Sequence, residues 1–587
     1  MKRFGAVTVS GAMALALCLG SCGLSPTPFA SRSEEPANVQ TPTQPEPSPA
    51  TPDQKQETTD TMQMESEPSE GLVAQGYAPE SAIPVEVPDF NTEEYASVEE
   101  TGFVSTQTSP LSTISADVDT ASYANLRRML KDGWKIPAKE QKDSDKKDAQ
   151  PSDQVDIAEN LDDFSVRSGT IPTGAVRIEE MVNYFDYDYA KPEGSDPFRI
   201  TARMGRCPWN NDTELLVLGY ATGDEDKSVA DKGSNLVFLI DVSGSMDDPD
   251  KLPLLQSSFG ELVSSLSDKD RVSIVTYSGH EEVVLEGAKG NDSTAIMRAI
   301  RGLKASGSTN GEAGLKTAYE IAEKNRIEGG VNRIVMASDG DLNVGMTSES
   351  DLHDFVDKQR DKGVYLSVLG FGQGNYKDNK MEILADHGNG SYHYIDCEAE
   401  AKRVFEQRLT ANLVPFANDV KVQVEFNPAK IKGYRLIGYE NRALADEDFK
   451  DDAKDAGEVG PRSQFSVLYE VVKADSPMEI PTSDLKYSTK AEQGNESGDW
   501  LTAKLRYKPA SGGDVREQEL VVSESEWSED PGKDWRFAAA VGEFGMLLRD
   551  SEYKGSTTFK SIRDLVDAGD DATRKEFLEL VNLAETN

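Results

Sequence analysis

Short apolar runs alternate with segments of helical periodicity between residues 233 and 414. The run 236–240 (LVFLI) is continuously apolar, which predicts a strand buried on both faces, whereas Leu255, Phe259 and Leu262 recur at the spacing of one helix face. Strands that alternate with helices favour a mostly parallel sheet with helices on both sides. Roughly 180 residues suit one such domain. We therefore predict an α/β fold here, Rossmann-like and doubly wound.

Each element of this domain is predicted from its own run of residues. Strands are predicted at 236–240, 272–277, 282–285, 333–337, 364–369 and 391–395. Helices are predicted at 255–266, 295–303, 311–324, 351–362, 380–387 and 399–413. Ligands of open parallel sheets bind beyond the carboxyl ends of the strands, so the residues that follow these strands are the first candidates for a functional site.

Strand-like runs lie on both sides of the α/β domain. The runs 198–204 and 214–223 precede it, and further runs fill residues 420–523 after it. We predict that the two groups form one antiparallel sheet domain, α+β or β-sandwich-like, into which the α/β domain is inserted. Helices follow these strands and share one apolar face, which consists of Phe537, Val541, Phe544 and Leu548.

The N-terminus has the pattern of a secretory signal. The chain begins MKR, and residues 4–19 are apolar or small, a stretch too short to predict a membrane span. It ends in LGSC, which resembles a bacterial lipobox, and the resemblance implies that Cys22 is lipid-modified. Residues 1–22 are then a lipoprotein signal peptide, and the protein is anchored to the cell membrane on its extracytoplasmic side. An ordinary secretory signal with an incidental cysteine is the alternative.

Residues 23–90 are rich in proline, serine, threonine and glutamate and contain few aromatic residues. Such a segment cannot bury enough apolar surface to offset its chain entropy. We predict a disordered tether that holds the folded part away from the membrane.

Charge excludes one class of partner. The 587 residues carry a formal net charge of −42, so no basic surplus exists to neutralise the phosphates of a nucleic acid. Two cysteines remain beyond the N-terminal segment, Cys207 and Cys397. Outside the cytoplasm a disulfide between them is permitted, and two buried thiols are the alternative.

Oxygen-bearing side chains follow two of the predicted strands and precede one helix. The first strand ends in Asp241, Ser243 and Ser245, another ends in Asp339, and Thr309 stands just before the helix at 311–324. All of these can reach the same edge of a parallel sheet. Two carboxylates and three hydroxyls, without histidine or cysteine, form a hard donor set that suits Mg²⁺ or Mn²⁺ better than Zn²⁺.

The motifs DVSGSM, GSTNG and SDGD resemble the metal-ion-dependent adhesion site of von Willebrand factor type A (VWA) domains. The resemblance implies that Asp241, Ser243 and Ser245 take the D-x-S-x-S positions, Thr309 the loop position and Asp339 the strand-end position. The serines and the threonine would bind the metal directly, and the aspartates directly or through water. We therefore predict Mg²⁺ as the cation, with Mn²⁺ or Ca²⁺ as alternatives.

Further segments resemble a bacterial family of VWA lipoproteins that carry extra regions on both sides of the VWA domain. The resemblance is carried by PLSTISADVDTASY, VRIEEMVNYFDYDY, CPWN, RLIGYENR and RFAAAVGEFGMLLRDSEYKG. It implies an N-terminal associated region at 96–230, the VWA domain at 233–414, and a C-terminal associated region at 415–587. These bounds agree with the pattern of strands and helices.

The sequence offers little for catalysis. It has four histidines and contains no G-x-S-x-G elbow, no H-E-x-x-H motif and no P-loop. We therefore predict a non-enzymatic binding protein, in which the bound cation accepts an aspartate or glutamate carboxylate from a partner protein. A subunit or assembly factor of a cell-envelope machine is the alternative, and a metal-assisted hydrolase is a weaker one.

Overall fold

A computed structural model describes residues 92–137, 169–193, 197–224, 231–340, 349–409, 416–481, 497–510 and 512–587. They belong to one compact unit, Glu86–Asn587. The predicted signal peptide with Cys22 and the whole of the predicted tether, residues 23–90, lie outside the described residues. In the described ranges no helix is long and apolar enough to cross a membrane.

The strands and helices form three groups along the chain. The N-terminal group contains β1 (Val104–Ser105), β2 (Leu111–Ser115), α1 (Ala121–Lys131), α2 (Ile178–Asn183), β3 (Phe198–Arg206) and β4 (Glu214–Thr222). The central group contains β5 (Ser234–Asp241), α3 (Leu252–Ser265), β6 (Arg271–Tyr277), β7 (Glu281–Lys289), α4 (Ser293–Gly302), α5 (Gly311–Lys324), β8 (Val331–Ser338), α6 (Glu349–Arg360), β9 (Tyr365–Phe371), α7 (Asp378–His387), β10 (Tyr392–Ile395) and α8 (Glu398–Arg403), which continues as a π-helical turn (Val404–Leu409). The C-terminal group contains β11 (Ala417–Phe426), β12 (Ile431–Ile437), β13 (Gly457–Val459), β14 (Gln464–Lys473), β15 (Asp499–Pro509), β16 (Arg516–Ser523), α9 (Lys533–Leu548), α10 (Phe559–Leu565) and α11 (Ala572–Thr586).

The central group forms a doubly wound α/β domain. Its sheet has the strand order β10-β9-β8-β5-β6-β7, and only the edge strand β7 runs antiparallel to its neighbour. Alternate residues of β5 enter two separate cores: Val237 and Leu239 face the core that contains α5, while Leu236, Phe238 and Ile240 face the core that contains α3. Helices therefore cover both faces of this sheet, which confirms the predicted fold class.

The N- and C-terminal groups share a second domain. In one of its sheets the strand order is β1-β12-β14-β4-β3, so strands from both ends of the chain are neighbours; Leu218 of β4 pairs with Val467 of β14. A second sheet has the order β13-β11-β15-β16, with β2 also paired to β11. Side chains of both sheets, such as Leu216 and Val422, form one core between them. The prediction of an antiparallel sheet domain that contains the α/β domain as an insertion is confirmed.

Helices cover the other face of the first of these sheets. Phe537, Val541, Phe544 and Leu548 of α9 are all buried and share a core with Leu215 of β4. The core also contains residues of α1, α2, α10 and α11. The predicted apolar face of the C-terminal helix is thus confirmed, because its spacing of three and four residues matches one side of an α-helix.

Both cysteines of the described chain are free thiols. Cys207 directly follows β3 and is buried in the helix-covered core, whereas Cys397 stands before α8 in the central domain. Burial raises the pKa of each thiol. The two cysteines form no disulfide, because they lie in different parts of the fold. The alternative of two buried thiols holds for Cys207, whereas Cys397 is only half-buried.

Candidate metal centre

Strand β5 delivers Asp241 to the carboxyl-terminal edge of the central sheet. Its side chain is fully buried, and its Oδ1 accepts a hydrogen bond of 2.8 Å from the backbone N–H of Ser243. The hydroxyl oxygens of Ser243 and Ser245 lie 3.0 Å apart in the turn that follows. The carboxylate thus closes the turn in the manner of an Asx motif and holds the two hydroxyls next to each other.

The neighbouring parallel strand β8 delivers Asp339 to the same edge. The last residue of β8, Ser338, donates a hydrogen bond of 3.2 Å from its hydroxyl to Oδ2 of Asp241, and it accepts one of 3.1 Å from the backbone N–H of Gly340. Asp339 stands between Ser338 and Gly340 and is fully buried. The Ser338 hydroxyl therefore links the carboxylate of Asp241 to the backbone segment that carries Asp339.

The loop before α5 lies along the turn that follows β5. The backbone N–H of Gly244 donates to the carbonyl of Gly307 at 3.0 Å, and the N–H of Ser306 donates to the carbonyl of Val242 at 2.7 Å. Thr309 lies two residues after Gly307 in this loop and is half-buried. The structure thus brings together the three segments that carry the five predicted metal ligands.

The electrostatics of the site favour a cation. Burial raises the pKa of the Asp241 carboxyl to about 6; hydrogen bonds from Ser243 and Ser338 oppose the increase, and the nearby carboxylate of Asp339 adds to it. Two buried carboxylates at one sheet edge repel each other, and a bound cation relieves that repulsion.

Sequence reasoning missed two residues of this site. Lys251, directly before α3, is 3% exposed, and its Nζ lies 3.2 Å from Oδ2 of Asp339. The side-chain amide of Asn375, in the loop after β9, donates to the same oxygen at 3.3 Å. A lysine at the start of a helix usually lies in solvent, and nothing in the local pattern predicts that this one turns inward.

The donor set fits a hard divalent cation. Among the residues that the structure describes, no group of three or more histidine, cysteine, aspartate or glutamate side chains could hold a metal ion. The candidate centre is of another kind, because hydroxyl groups make up three of its five proposed ligands. Oxygen-only coordination with retained water is the chemistry of Mg²⁺.

The fold and the geometry of the site define this chain as a VWA-domain protein. Residues 235–407 match the model of the von Willebrand factor type A domain. The preceding residues 89–142 and 159–217 match a model described as von Willebrand factor, and residues 411–586 match the model of the C-terminal region of the uncharacterized protein YfbK. The chain belongs to the bacterial family of VWA-domain proteins that includes YfbK.

Similarity to YfbK of Escherichia coli extends over most of both proteins. The two sequences are 37% identical over 487 residues, which cover 81% of this chain and 78% of YfbK. Among solved structures, a von Willebrand factor type A protein from Catenulispora acidiphila has 16% sequence identity and a TM-score of 0.37, covering 66% of this chain and 88% of its own. A mussel byssus protein, proximal thread matrix protein 1, has zinc in its adhesion-site motif; it is 17% identical, covers 30% of this chain and 44% of its own, and has a TM-score of 0.26.

The domain class carries a general function. VWA domains mediate interaction or adhesion between proteins and are in general not enzymes. They commonly bind a divalent metal ion at the adhesion site. The domain class thus indicates that this chain takes part in protein–protein interaction or adhesion.

Proposed function

We propose that this protein is a lipid-anchored, extracytoplasmic VWA protein that binds an acidic partner protein through a divalent cation. The proposed ligands of that cation are Asp241, Ser243, Ser245, Thr309 and Asp339. The observation that carries the proposal is the meeting of β5, β8 and the loop before α5 at one sheet edge, where Ser338 links the two strand ends.

The hydroxyl ligands and the carboxylate ligands have different tasks. The paired hydroxyls of Ser243 and Ser245 offer uncharged oxygens, and Thr309 offers a third from the opposite loop. Asp241 and Asp339 supply the negative charge that holds a cation at a buried edge. Mg²⁺, or Mn²⁺ or Ca²⁺ in its place, would accept one further oxygen from outside, which an aspartate or glutamate of a partner provides. One such contact orients the partner, and the surrounding loops must supply most of the affinity.

The anchor is a separate part of the proposal. It rests on the lipobox-like LGSC at Cys22 and on the composition of residues 23–90. Metabolic labelling with a fatty acid should mark the wild-type protein and leave Cys22→Ala unlabelled. A labelled Cys22→Ala variant, or an unlabelled wild type that retains residues 1–22, would contradict it.

Partner capture tests the binding function. The full chain, solubilised in detergent, is used to capture proteins from envelope extracts in Mg²⁺ and in EDTA, together with Asp241→Ala, Thr309→Ala and the exposed control Asp247→Ala. A partner that is captured by the wild type and the control in Mg²⁺, and is lost in EDTA and with both site variants, supports the proposal. Capture that survives EDTA and both site variants contradicts it.

The same experiment distinguishes a free adhesin from a machine subunit. The YfbK-like regions on both sides of the VWA domain share one sheet, so the VWA domain is presented on a second domain of comparable size. A fixed set of envelope proteins captured together in Mg²⁺ indicates a subunit or assembly factor. A single surface or matrix protein indicates an adhesin.

A further inference from the structure

Lys251 is enclosed next to the proposed metal ligands. Its side chain is 3% exposed, and its ammonium group lies 3.2 Å from Oδ2 of Asp339 and 3.4 Å from the amide oxygen of Asn375. Asn375 donates to the same oxygen of Asp339. Lys251, Asn375 and Asp339 thus contact one another at the edge of the site, and the ammonium group also lies 3.8 Å from Oδ2 of the exposed Asp248.

The loop after β9 is shaped to admit the stem of Lys251. Gly372 has a φ of +73°, and a Cβ at this position would lie 2.2 Å from Cε of Lys251. Any other residue would collide with the lysine stem and would also adopt a strained left-handed backbone. The glycine therefore keeps open the space that allows the ammonium group to reach Asp339.

Among the residues that the structure describes, the buried charged groups at this sheet edge are the carboxylates of Asp241 and Asp339 and the ammonium group of Lys251. Asp248, 3.8 Å from the ammonium group, is exposed, so that water screens its charge. These three buried groups sum to a charge of −1, and the sum becomes −2 when a neutral residue replaces the lysine. Once a divalent cation is bound, the sum is +1 with the lysine and 0 without it. The lysine therefore weakens the attraction for a metal ion and strengthens the attraction of the loaded site for an acidic group.

We propose that Lys251 is an internal counter-cation that lowers the divalent-cation affinity of this site and leaves the loaded site with a net positive charge for an acidic partner. This inference rests on the proposed function, because it assumes that the cation is held by Asp241, Asp339 and the hydroxyl ligands.

Titration of the full chain with Mn²⁺ tests it, with free Mn²⁺ measured by electron paramagnetic resonance. Lys251→Gln removes the charge but keeps a hydrogen-bond donor, and it should bind Mn²⁺ at least about tenfold more tightly than the wild type. Lys269→Gln is the matched control, since Lys269 is an exposed lysine of the same domain that pairs with Asp231. It should bind as the wild type does. Equal or weaker binding by Lys251→Gln would overturn the inference.

Two further variants keep the test decisive if Lys251→Gln does not fold. Lys251→Met removes the charge without a donor, and Gly372→Ala displaces the ammonium group without removing it; both should bind Mn²⁺ more tightly than the wild type. The gain should be larger for Tb³⁺ than for Mn²⁺, because a charge effect grows with the charge of the ion. An equal gain for the two ions would overturn the electrostatic basis.

The outcomes separate this inference from the proposed function. Wild-type binding of Mn²⁺ with unchanged affinity in the lysine variants defeats the inference and leaves the proposed function intact. Binding by the lysine variants alone supports the inference and shows that the wild-type site has low affinity. Absence of binding in all of them defeats both.

Discussion

The hydroxyl of Ser338 donates a hydrogen bond to Oδ2 of Asp241 at 3.2 Å and so joins the carboxyl ends of two adjacent parallel strands. Asp241 is buried, and water reaches its carboxylate poorly. Removal of the Ser338 hydroxyl therefore takes one hydrogen bond from Oδ2 of Asp241, and water does not replace it. The hydrogen bond therefore serves both the stability of the domain and the position of a proposed metal ligand.

Replacement of Ser338 should separate these two roles. Ser338→Ala should lower the free energy of unfolding by about 1 kcal/mol and weaken Mn²⁺ binding severalfold. Ser273→Ala is the control, because Ser273 is also buried in the central sheet and its hydroxyl accepts a hydrogen bond from the backbone of Gly287, away from the site. Denaturant titration and Mn²⁺ titration of both variants check this. An affinity loss of equal size in the control would show that the effect of Ser338 is merely structural.

An ionic network joins the central domain to the helices of the second domain. Glu400 of α8 accepts hydrogen bonds from Arg403 at 2.7 Å, from Arg127 of α1 at 2.8 Å and from the hydroxyl of Tyr184 at 2.7 Å. Burial opposes ionisation of Glu400, but the two guanidinium groups outweigh it and lower the pKa of its carboxyl to about 2.

Because this folded-state pKa lies below the unfolded value, Glu400 stabilises the fold above pH 4.5, and that contribution is lost as the pH falls towards 2. Glu400→Gln should lower the free energy of unfolding by about 3 kcal/mol at pH 7 and by less at pH 3. Glu398→Gln, at an exposed position of the same helix, should have little effect at either pH. Denaturant titration at the two pH values measures both variants. A loss that does not change with pH would contradict the assignment of the ionised form.

Glu543 has the opposite pH dependence. It is fully buried in α9, and burial raises the pKa of its carboxyl to about 7, although a hydrogen bond from the hydroxyl of Ser561 opposes the increase. The stability that its protonated form contributes is complete below pH 4.5 and is lost as the pH rises through 7.

Replacement by a neutral amide should remove this dependence. Glu543→Gln should raise the free energy of unfolding by up to about 2 kcal/mol at pH 8 and change it little at pH 4.5. Glu579→Gln, an exposed position on α11, serves as the control and should change stability at neither pH. If Glu543→Gln were as destabilising at pH 8 as at pH 4.5, the carboxyl would not have the raised pKa described here.

Local sequence patterns predict those features of the fold in which the spacing of apolar residues decides which side chains are buried. The continuous run 236–240 predicts a strand buried on both faces, and the structure places its alternate residues in two cores. The strand runs on both sides of the central domain predict a shared sheet, and the pairing of β4 with β14 confirms it. Such patterns do not give the order of strands within a sheet, because that order depends on contacts between residues that are far apart in sequence.

The candidate site shows the same limit. Asp241, Ser243 and Ser245 are predicted from their spacing after one strand, and Thr309 and Asp339 from their places beside other elements. Lys251 and Asn375 belong to the same site only because the loop after β9 turns over the sheet edge and leaves room for the lysine stem. That geometry is tertiary, and no local pattern encodes it.

Equilibrium binding of Mg²⁺ to the full chain tests the central claim most directly. Isothermal titration calorimetry should show one site per chain in the wild type and in Asp247→Ala, which replaces an exposed aspartate near the D-x-S-x-S turn. The same titration should show no binding by Asp241→Ala and at least about tenfold weaker binding by Thr309→Ala, while both variants keep the circular dichroism spectrum of the wild type. Wild-type affinity in both Asp241→Ala and Thr309→Ala would contradict the assignment of this sheet edge as the metal site.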